Sequence, residues 1–214
     1  MFCLYKMMRF VLKPVFLLIF RPRIIGAENI PKSGAAVIAG NHKHALDPIL
    51  IDISTRRVVR TLAKKELNDG PFGGMFRSVG TIPVDLQAAH NHNAFSSAVE
   101  ALESGQLVNV SPEAKRNFTE ELLLPFKFGA AAMAGKTASP IIPYAITGDY
   151  SLLSRNRLTV VFGRPIVPST DADTTNMRLY ETIAFLLKKT MPAEELSSKH
   201  FTTYEEWKKH EKTS

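Results

Sequence analysis

The chain has 214 residues, 45% apolar and 22% charged, which is the make-up of an ordinary globular domain and excludes intrinsic disorder and fibrous repeats. A single cysteine, Cys3, excludes an intrachain disulfide and a thiolate-based zinc site, so the chain reads as intracellular or indifferent to redox state. The net charge is +7, and five bases (Lys6, Arg9, Lys13, Arg21 and Arg23) precede the first acid, Glu28. That one-ended excess suggests an address for an anionic membrane or polyanion rather than a nucleic-acid-binding face.

The N-terminal stretch MFCLYKMMRFVLKPVFLLIFRPRII has no uncharged run longer than Pro14 to Phe20, whereas a spanning helix needs ~20 apolar residues. On a helical projection Lys6, Arg9 and Lys13 share one side, and Leu4, Met8, Val11, Val15 and Leu18 recur on the other. The pattern predicts a basic amphipathic helix, with a kink expected at Pro14, lying in a membrane interface. Two other readings stay open. One is a helix packed on its own domain. The other is a signal peptide, although Arg21 and Arg23 follow the apolar run and no small-x-small cleavage site is clear.

From residue 34 short apolar runs alternate with helical patterns. Strands are expected at Ala36–Ala39, Val58–Ala63, Thr81–Val84, Leu107–Val110, Ile141–Ile146 and Leu158–Phe162. Asp47-Pro48 reads as a helix start, with Asp47 as the N-cap and Pro48 at the first helical position. Phe95, Ala98, Val99 and Leu102 give helical spacing over about 88–104, stopped by Gly105. Further helices are expected over about 126–137 and 176–189. The alternation implies a single α/β domain with a mostly parallel or mixed central sheet flanked by helices, plus the N-terminal amphipathic membrane-interface helix. The expected divisions are a membrane-associating segment at 1–27, the main domain at 28–191 and a charged tail at 192–214.

Polar clusters fall where strands end, which is where open α/β sheets bind ligands. The densest is Asn41-His42-Lys43-His44-Ala45-Leu46-Asp47. An Asp accepting from one imidazole nitrogen leaves the other as a base. Spacing alone does not choose between His42 and His44, and Asp47 is equally readable as a helix cap. Ser111-Pro112-Glu113-Ala114-Lys115-Arg116-Asn117 follows another strand; its two cations suit a phosphate, with Glu113 shaping the loop. Lys64 and Lys65 add cations beyond a third strand. Gly70, Gly73, Gly74 and Gly80 permit turns but form no Walker-type loop. A metal reading rests on two His-x-His pairs, His42/His44 and His90/His92, with Asp47.

In order, these clusters resemble the phospholipid/glycerol acyltransferase family, specifically its 1-acyl-sn-glycerol-3-phosphate (lysophosphatidic acid) acyltransferases. Asn41-His42-x4-Asp47 matches the family's NH-x4-D motif, and AKKEL at 63–67 resembles its lysine-bearing segment. GTIPVD at 80–85, SPEAKR at 111–116, IIPYAI at 141–146 and VFGRPI at 161–166 resemble the motifs that follow, the second of these replacing FPEGTR. The likeness runs from about 25 to 190. Three positions depart from it: Ala114 stands for the usual Gly, Lys115 for a hydroxyl, and Leu86 for an Arg.

The resemblance implies transfer of a fatty acyl group from acyl-CoA or acyl-carrier protein to lysophosphatidic acid, giving phosphatidic acid for phospholipid biosynthesis. His42 would be the base and Asp47 its partner, with no covalent acyl-enzyme. Asn41, Lys64, Glu113, Lys115 and Arg116 would bind or frame the acceptor, with Lys115 replacing the cation missing at Leu86. No metal or cofactor beyond the acyl donor is implied, and no nucleic-acid partner. The expected location is the cytoplasmic face of a membrane, interfacial rather than spanning. Two other classes are a metal-dependent hydrolase using the His-x-His pairs and a catalytically silent membrane-binding module.

Overall fold

The computed structural model describes residues 3–71, 73–85, 91–151 and 156–213. In chain order the elements are α1 (Cys3–Phe20), β1 (Arg23–Ile25), β2 (Ala36–Gly40), α2 (Asp47–Ile53), β3 (Val59–Lys64), α3 (Lys65–Asp69), α4 (Gly73–Ser78) and β4 (Ile82–Val84). They continue with α5 (His92–Glu103), β5 (Leu107–Val110), α6 (Gly129–Thr137), β6 (Ile141–Thr147), β7 (Thr159–Phe162), α7 (Ala172–Thr190), α8 (Ala193–Ser197) and α9 (Tyr204–Thr213).

The seven strands form one sheet in the order β1-β7-β6-β2-β5-β3-β4. Neighbours are parallel except β6 and β7, which run antiparallel from Tyr144↔Phe162 to Thr147↔Thr159. The mixed α/β sheet agrees with the sequence reading. Central β2 reads AVIAG and is buried throughout, as a parallel strand covered on both faces must be. Its alternation feeds two cores. Val37 and Ala39 pack with Val108, Ile141, Leu102, Met133 and Ile183 beneath α5, α6 and α7. Ala36 and Ile38 pack with Leu50, Ile51, Ile142, Tyr144 and Phe16 beneath α1 and α2.

Some elements go beyond the sequence reading. β1 lies within the first 27 residues and pairs with β7, so Arg23–Ile25 belongs to the sheet. α3 and α4 lie in the stretch containing Gly70, Gly73 and Gly74. α7 starts at Ala172, earlier than the expected 176, because the Asp171 carboxylate accepts from the N–H groups of Asp173 and Thr174. In the charged tail Tyr204 is buried in the core, and its hydroxyl donates to Asp173.

The orientation of α1 is the largest correction. Two of the three bases on the expected basic side, Arg9 and Lys13, face the protein, and Lys6 is exposed. Arg9 Nη2 donates to Asp52 O at 2.6 Å, Arg9 Nη1 to Arg57 O at 2.9 Å and Lys13 Nζ to Ile53 O at 2.9 Å. Asp52 and Ile53 end α2, where the last carbonyls of a helix have no partner within it, so two cations of α1 satisfy that end and complement its dipole. The face left outside is apolar, with Phe10 81%, Leu18 71%, Met7 58% and Val11 56% exposed. Among the described residues no helix is long and apolar enough to cross a membrane.

Candidate active site

The parallel strands deliver their carboxyl ends to one edge of the sheet, and the sequence-predicted cluster hangs from β2 at that edge. Gly40 is required there, because a Cβ would sit 2.4 Å from Tyr144 O and 2.3 Å from its ring. Asn41 follows, buried, with its amide clamped to β6: Ile146 N donates to Oδ1 at 2.7 Å and Nδ2 donates to Ile146 O at 3.0 Å. This clamp fixes where the next residue emerges.

His42 is held on three sides. Its N–H donates to Glu113 Oε1 at 2.8 Å, its carbonyl accepts from Asn117 N at 3.1 Å, and its ring Nδ1 lies 2.9 Å from Asp47 Oδ2. Asp47 is buried at the first residue of α2, yet it does not cap that helix as the sequence suggested. Its carboxylate turns back onto the loop. Oδ2 also accepts from the N–H groups of Lys43 and His44, each at 2.8 Å, and Oδ1 accepts from Tyr150 Oη at 2.7 Å. An ionised carboxylate only accepts, so Nδ1 of His42 carries the proton and Nε2 keeps its lone pair. The His42 side chain is 25% exposed.

Of the two histidines, it is His42 whose ring lies against Asp47. His44 does not reach Asp47 with its ring; Nδ1 accepts from Leu46 N at 3.2 Å, and the imidazole stacks on Tyr150 with centroids 4.5 Å apart. The described residues contain no group of three His, Cys, Asp or Glu placed to hold a metal ion. His90 lies outside the described residues, as does Leu86.

The second cluster meets the first through Glu113. Its buried carboxylate bridges His42 N and Leu124 N, both at 2.8 Å. Burial pushes this carboxyl up to about 7, opposed by those two N–H donors. Asn41 and Glu113 were expected to bind or frame substrate, and their side chains are turned onto backbone in framing positions. Lys64, at the end of β3, and Lys115 and Arg116, in the Ser111–Arg116 loop, are exposed at the same sheet edge. The Arg116 guanidinium lies 5.1 Å from the centroid of the exposed Phe118 ring. Ala114 adopts φ +58°, so the residue standing where the family has Gly is forced into the left-handed region.

Sequence reasoning missed two contributors. Tyr150 lies 103 residues from Asp47, and nothing in TGDYS marks it. Burial and the nearby Asp47 charge push its hydroxyl well above the ordinary phenol range, so it remains a donor. Lys43 pairs with Glu195 of α8 at 3.1 Å and Asp149 at 3.7 Å, tying the loop to the C-terminal segment. A cavity of about 480 Å³ opens nearby, lined by Leu18, Phe20, Arg21, Asp149 and Arg157 among others.

The fold and the stretch that carries this site can be compared with known proteins. Residues 21–147 match the family described as Acyltransferase, more than half of the chain. The chain belongs to the acyltransferase family. The matched region holds His42, Asp47, Lys64, Glu113 and Arg116, and Tyr150 lies just past its end. This acyltransferase-family chain is 30% identical over 135 residues to a 1-acyl-sn-glycerol-3-phosphate acyltransferase of Borreliella burgdorferi, covering 62% of this chain and 54% of that one. It is also 30% identical over 158 residues to a protein of the same description from Saccharomyces cerevisiae, covering 71% and 49% respectively. The chain thus spans about half the length of these curated relatives. In fold it is similar to the crystal structure of the 1-acyl-sn-glycerophosphate (LPA) acyltransferase of Thermotoga maritima. The TM-score is 0.67 at 22% identity, covering 86% of this chain and 82% of that one.

Proposed function

We propose that the chain is an O-acyltransferase that moves a fatty acyl group from acyl-CoA or acyl-carrier protein to the free hydroxyl of 1-acylglycerol-3-phosphate. The observation that carries this reading is the His42 Nδ1–Asp47 Oδ2 contact of 2.9 Å, which leaves Nε2 as the nitrogen not bound to Asp47. Nε2 takes the proton of the acceptor hydroxyl, and that oxygen bonds to the thioester carbonyl carbon. Collapse of the adduct breaks the carbon–sulfur bond, and the thiolate takes the proton back from His42, leaving phosphatidic acid and a free thiol. Asp47 balances the imidazolium that forms between the two transfers. Lys64, Lys115 and Arg116 grip the phosphate, while Asn41 and Glu113 hold the loops to which these groups belong.

The chain works at a lipid surface, with its anchor differing from the one its charge suggested. Arg9 and Lys13 are occupied by α2, which leaves Lys6, Arg21 and Arg23 exposed, and the outward apolar face bearing Phe10 and Leu18 adds the larger contact. At roughly 25 cal/mol per Å² of apolar area, burying a few such side chains is worth several kcal/mol.

The test is turnover by the full chain on mixed vesicles containing lysophosphatidic acid, with acyl-CoA and acyl-carrier protein supplied in separate arms. One arm should yield phosphatidic acid and His42→Ala should abolish it, while His44→Ala stays mild. No product in either arm, or an active His42→Ala, defeats the proposal. Sedimentation with the same vesicles should be weakened by Phe10→Asp with Leu18→Asp more than by added salt.

A further inference from the structure

Tyr150 stands between two parts of the molecule that the proposed chemistry treats separately. Its hydroxyl donates to Asp47 Oδ1, the carboxylate oxygen that His42 does not use. Its ring is enclosed by aromatic groups. Phe16 and Phe20 of α1 meet it edge-on with centroids 6.3 Å and 5.7 Å away, and His44 stacks on it. Phe16 and Phe20 also pack against each other at 4.7 Å. A phenol clasped in this way has little freedom to swing its hydroxyl away from Asp47. The elements that clasp it are the outer helix and the catalytic loop.

We propose that Tyr150 is a positioning residue that couples the docking of α1 to the alignment of the His42–Asp47 pair. This rests on the acyl-transfer reading for its consequence in turnover, but the coupling itself is a property of the folded chain. When α1 is seated, Phe16 and Phe20 press the ring against His44 and the hydroxyl holds Oδ1. Oδ2 is then presented to His42 Nδ1 and to the two loop N–H groups together. When α1 is displaced, Tyr150 loses two of its ring contacts and Asp47 loses the donor that fixes its rotation. The acyl-transfer site is thereby in register only while the apolar helix is in place.

The ionisable groups around His42 are few. They are Asp47, Lys43, His44 and Glu113 in the two loops, Tyr144 and Tyr150 from β6 and its exit, and Asp149 and Glu195 through Lys43. Tyr150→Phe alters only one of them and keeps the ring, so packing is preserved.

The experiment has two readouts on the full chain in mixed micelles. The first is the proton NMR signal of His42 Nδ1–H, which reports its hydrogen bond to Asp47 Oδ2. Removing the donor on Oδ1 frees the carboxylate to rotate. Tyr150→Phe should therefore shift or broaden this signal, and Phe20→Ala should change it in the same direction. In the double variant Phe20→Ala should add nothing, because the hydroxyl through which it acts is gone. The second readout is turnover: Tyr150→Phe should lower kcat about ten-fold, with the acceptor KM and the thermal midpoint nearly unchanged. An unchanged His42 Nδ1–H signal in Tyr150→Phe overturns the proposal. So does a Phe20→Ala effect of equal size in both backgrounds. If the wild-type chain makes no phosphatidic acid at all, the acyl-transfer reading fails, and the Nδ1–H signal still decides whether Tyr150 couples the two parts.

Discussion

Replacing Asp47 separates what its carboxylate does for the fold from what its charge does for the reaction. The group accepts from four donors: His42 Nδ1, Lys43 N and His44 N on Oδ2, and Tyr150 Oη on Oδ1. In Asp47→Asn the amide oxygen takes the Oδ2 place and keeps three of these donors. The NH₂ then faces Tyr150, whose oxygen accepts by rotating its own proton, so stability should fall by only about 1–2 kcal/mol. The charge that balances the imidazolium is lost, so kcat should fall about 10²–10⁴-fold. Asp47→Ala instead strands two backbone N–H groups, a ring nitrogen and a phenol. At roughly 1–3 kcal/mol per unsatisfied buried donor, with some reaching water, the loss should be about 3–5 kcal/mol. A helix cap alone would lose ~1 kcal/mol. Guanidinium unfolding measures the first quantity and single-turnover acyl transfer the second. Turnover of Asp47→Asn within ten-fold of wild type, or equal unfolding midpoints for Asp47→Ala and Asp47→Asn, would refute these roles for the carboxylate.

Ala114→Gly should stabilise the chain by about 1 kcal/mol, since it relieves a left-handed conformation worth ~1–2 kcal/mol to an L-residue, less the entropy of a freer unfolded chain; an unchanged or lower unfolding midpoint speaks against it. Arg116→Ala should raise the acceptor KM about ten-fold or more without moving the donor KM, and Arg116→Lys should recover it only in part, because an ammonium does not grip phosphate bidentately; an unaltered acceptor KM removes Arg116 from the site. Burial pushes the carboxyls of Asp52 and Glu113 up to about 7, above their ordinary values of 3.8 and 4.5. The folded chain therefore holds these protons more tightly than the unfolded one, and their stabilising contribution, complete below about pH 4, is lost as pH rises through 7. Unfolding midpoints should drop from pH 5 to pH 8, and Asp52→Asn should flatten part of the slope; a rising midpoint contradicts this.

The central strands were legible because a parallel strand buried on both faces must be an apolar run, as AVIAG, LVNV and IIPYAIT are. β1 was not legible. Its three residues include Arg23, and its partner Thr159 lies more than a hundred positions away, so no local pattern carries it. The amphipathic character of α1 was readable from its periodicity. Which side faces inward was not, because that depends on where the carbonyls ending α2 fall in space. The same holds at the site. The types and order of Asn41, His42 and Asp47 pointed to the chemistry, but only the folded loop shows His42 rather than His44 against the carboxylate. Tyr150 was invisible because its role comes from a contact across 103 residues.

The inward anchoring of α1 sets a geometric constraint on any lipid acceptor. An enzyme tied to a surface by a flexible linker samples a range of heights, and its substrate meets it at whatever depth each prefers. Here the cations of α1 grip the end of the helix whose first residue is Asp47, and its aromatic residues touch Tyr150. While α1 is seated, the apolar face and His42 belong to one block, and under the proposed interfacial reading the height of Nε2 above a surface that takes up Phe10 and Leu18 would be a fixed length. Under that reading the length would select, among lipids, for where the reacting hydroxyl floats relative to the acyl chains before any headgroup contact is made.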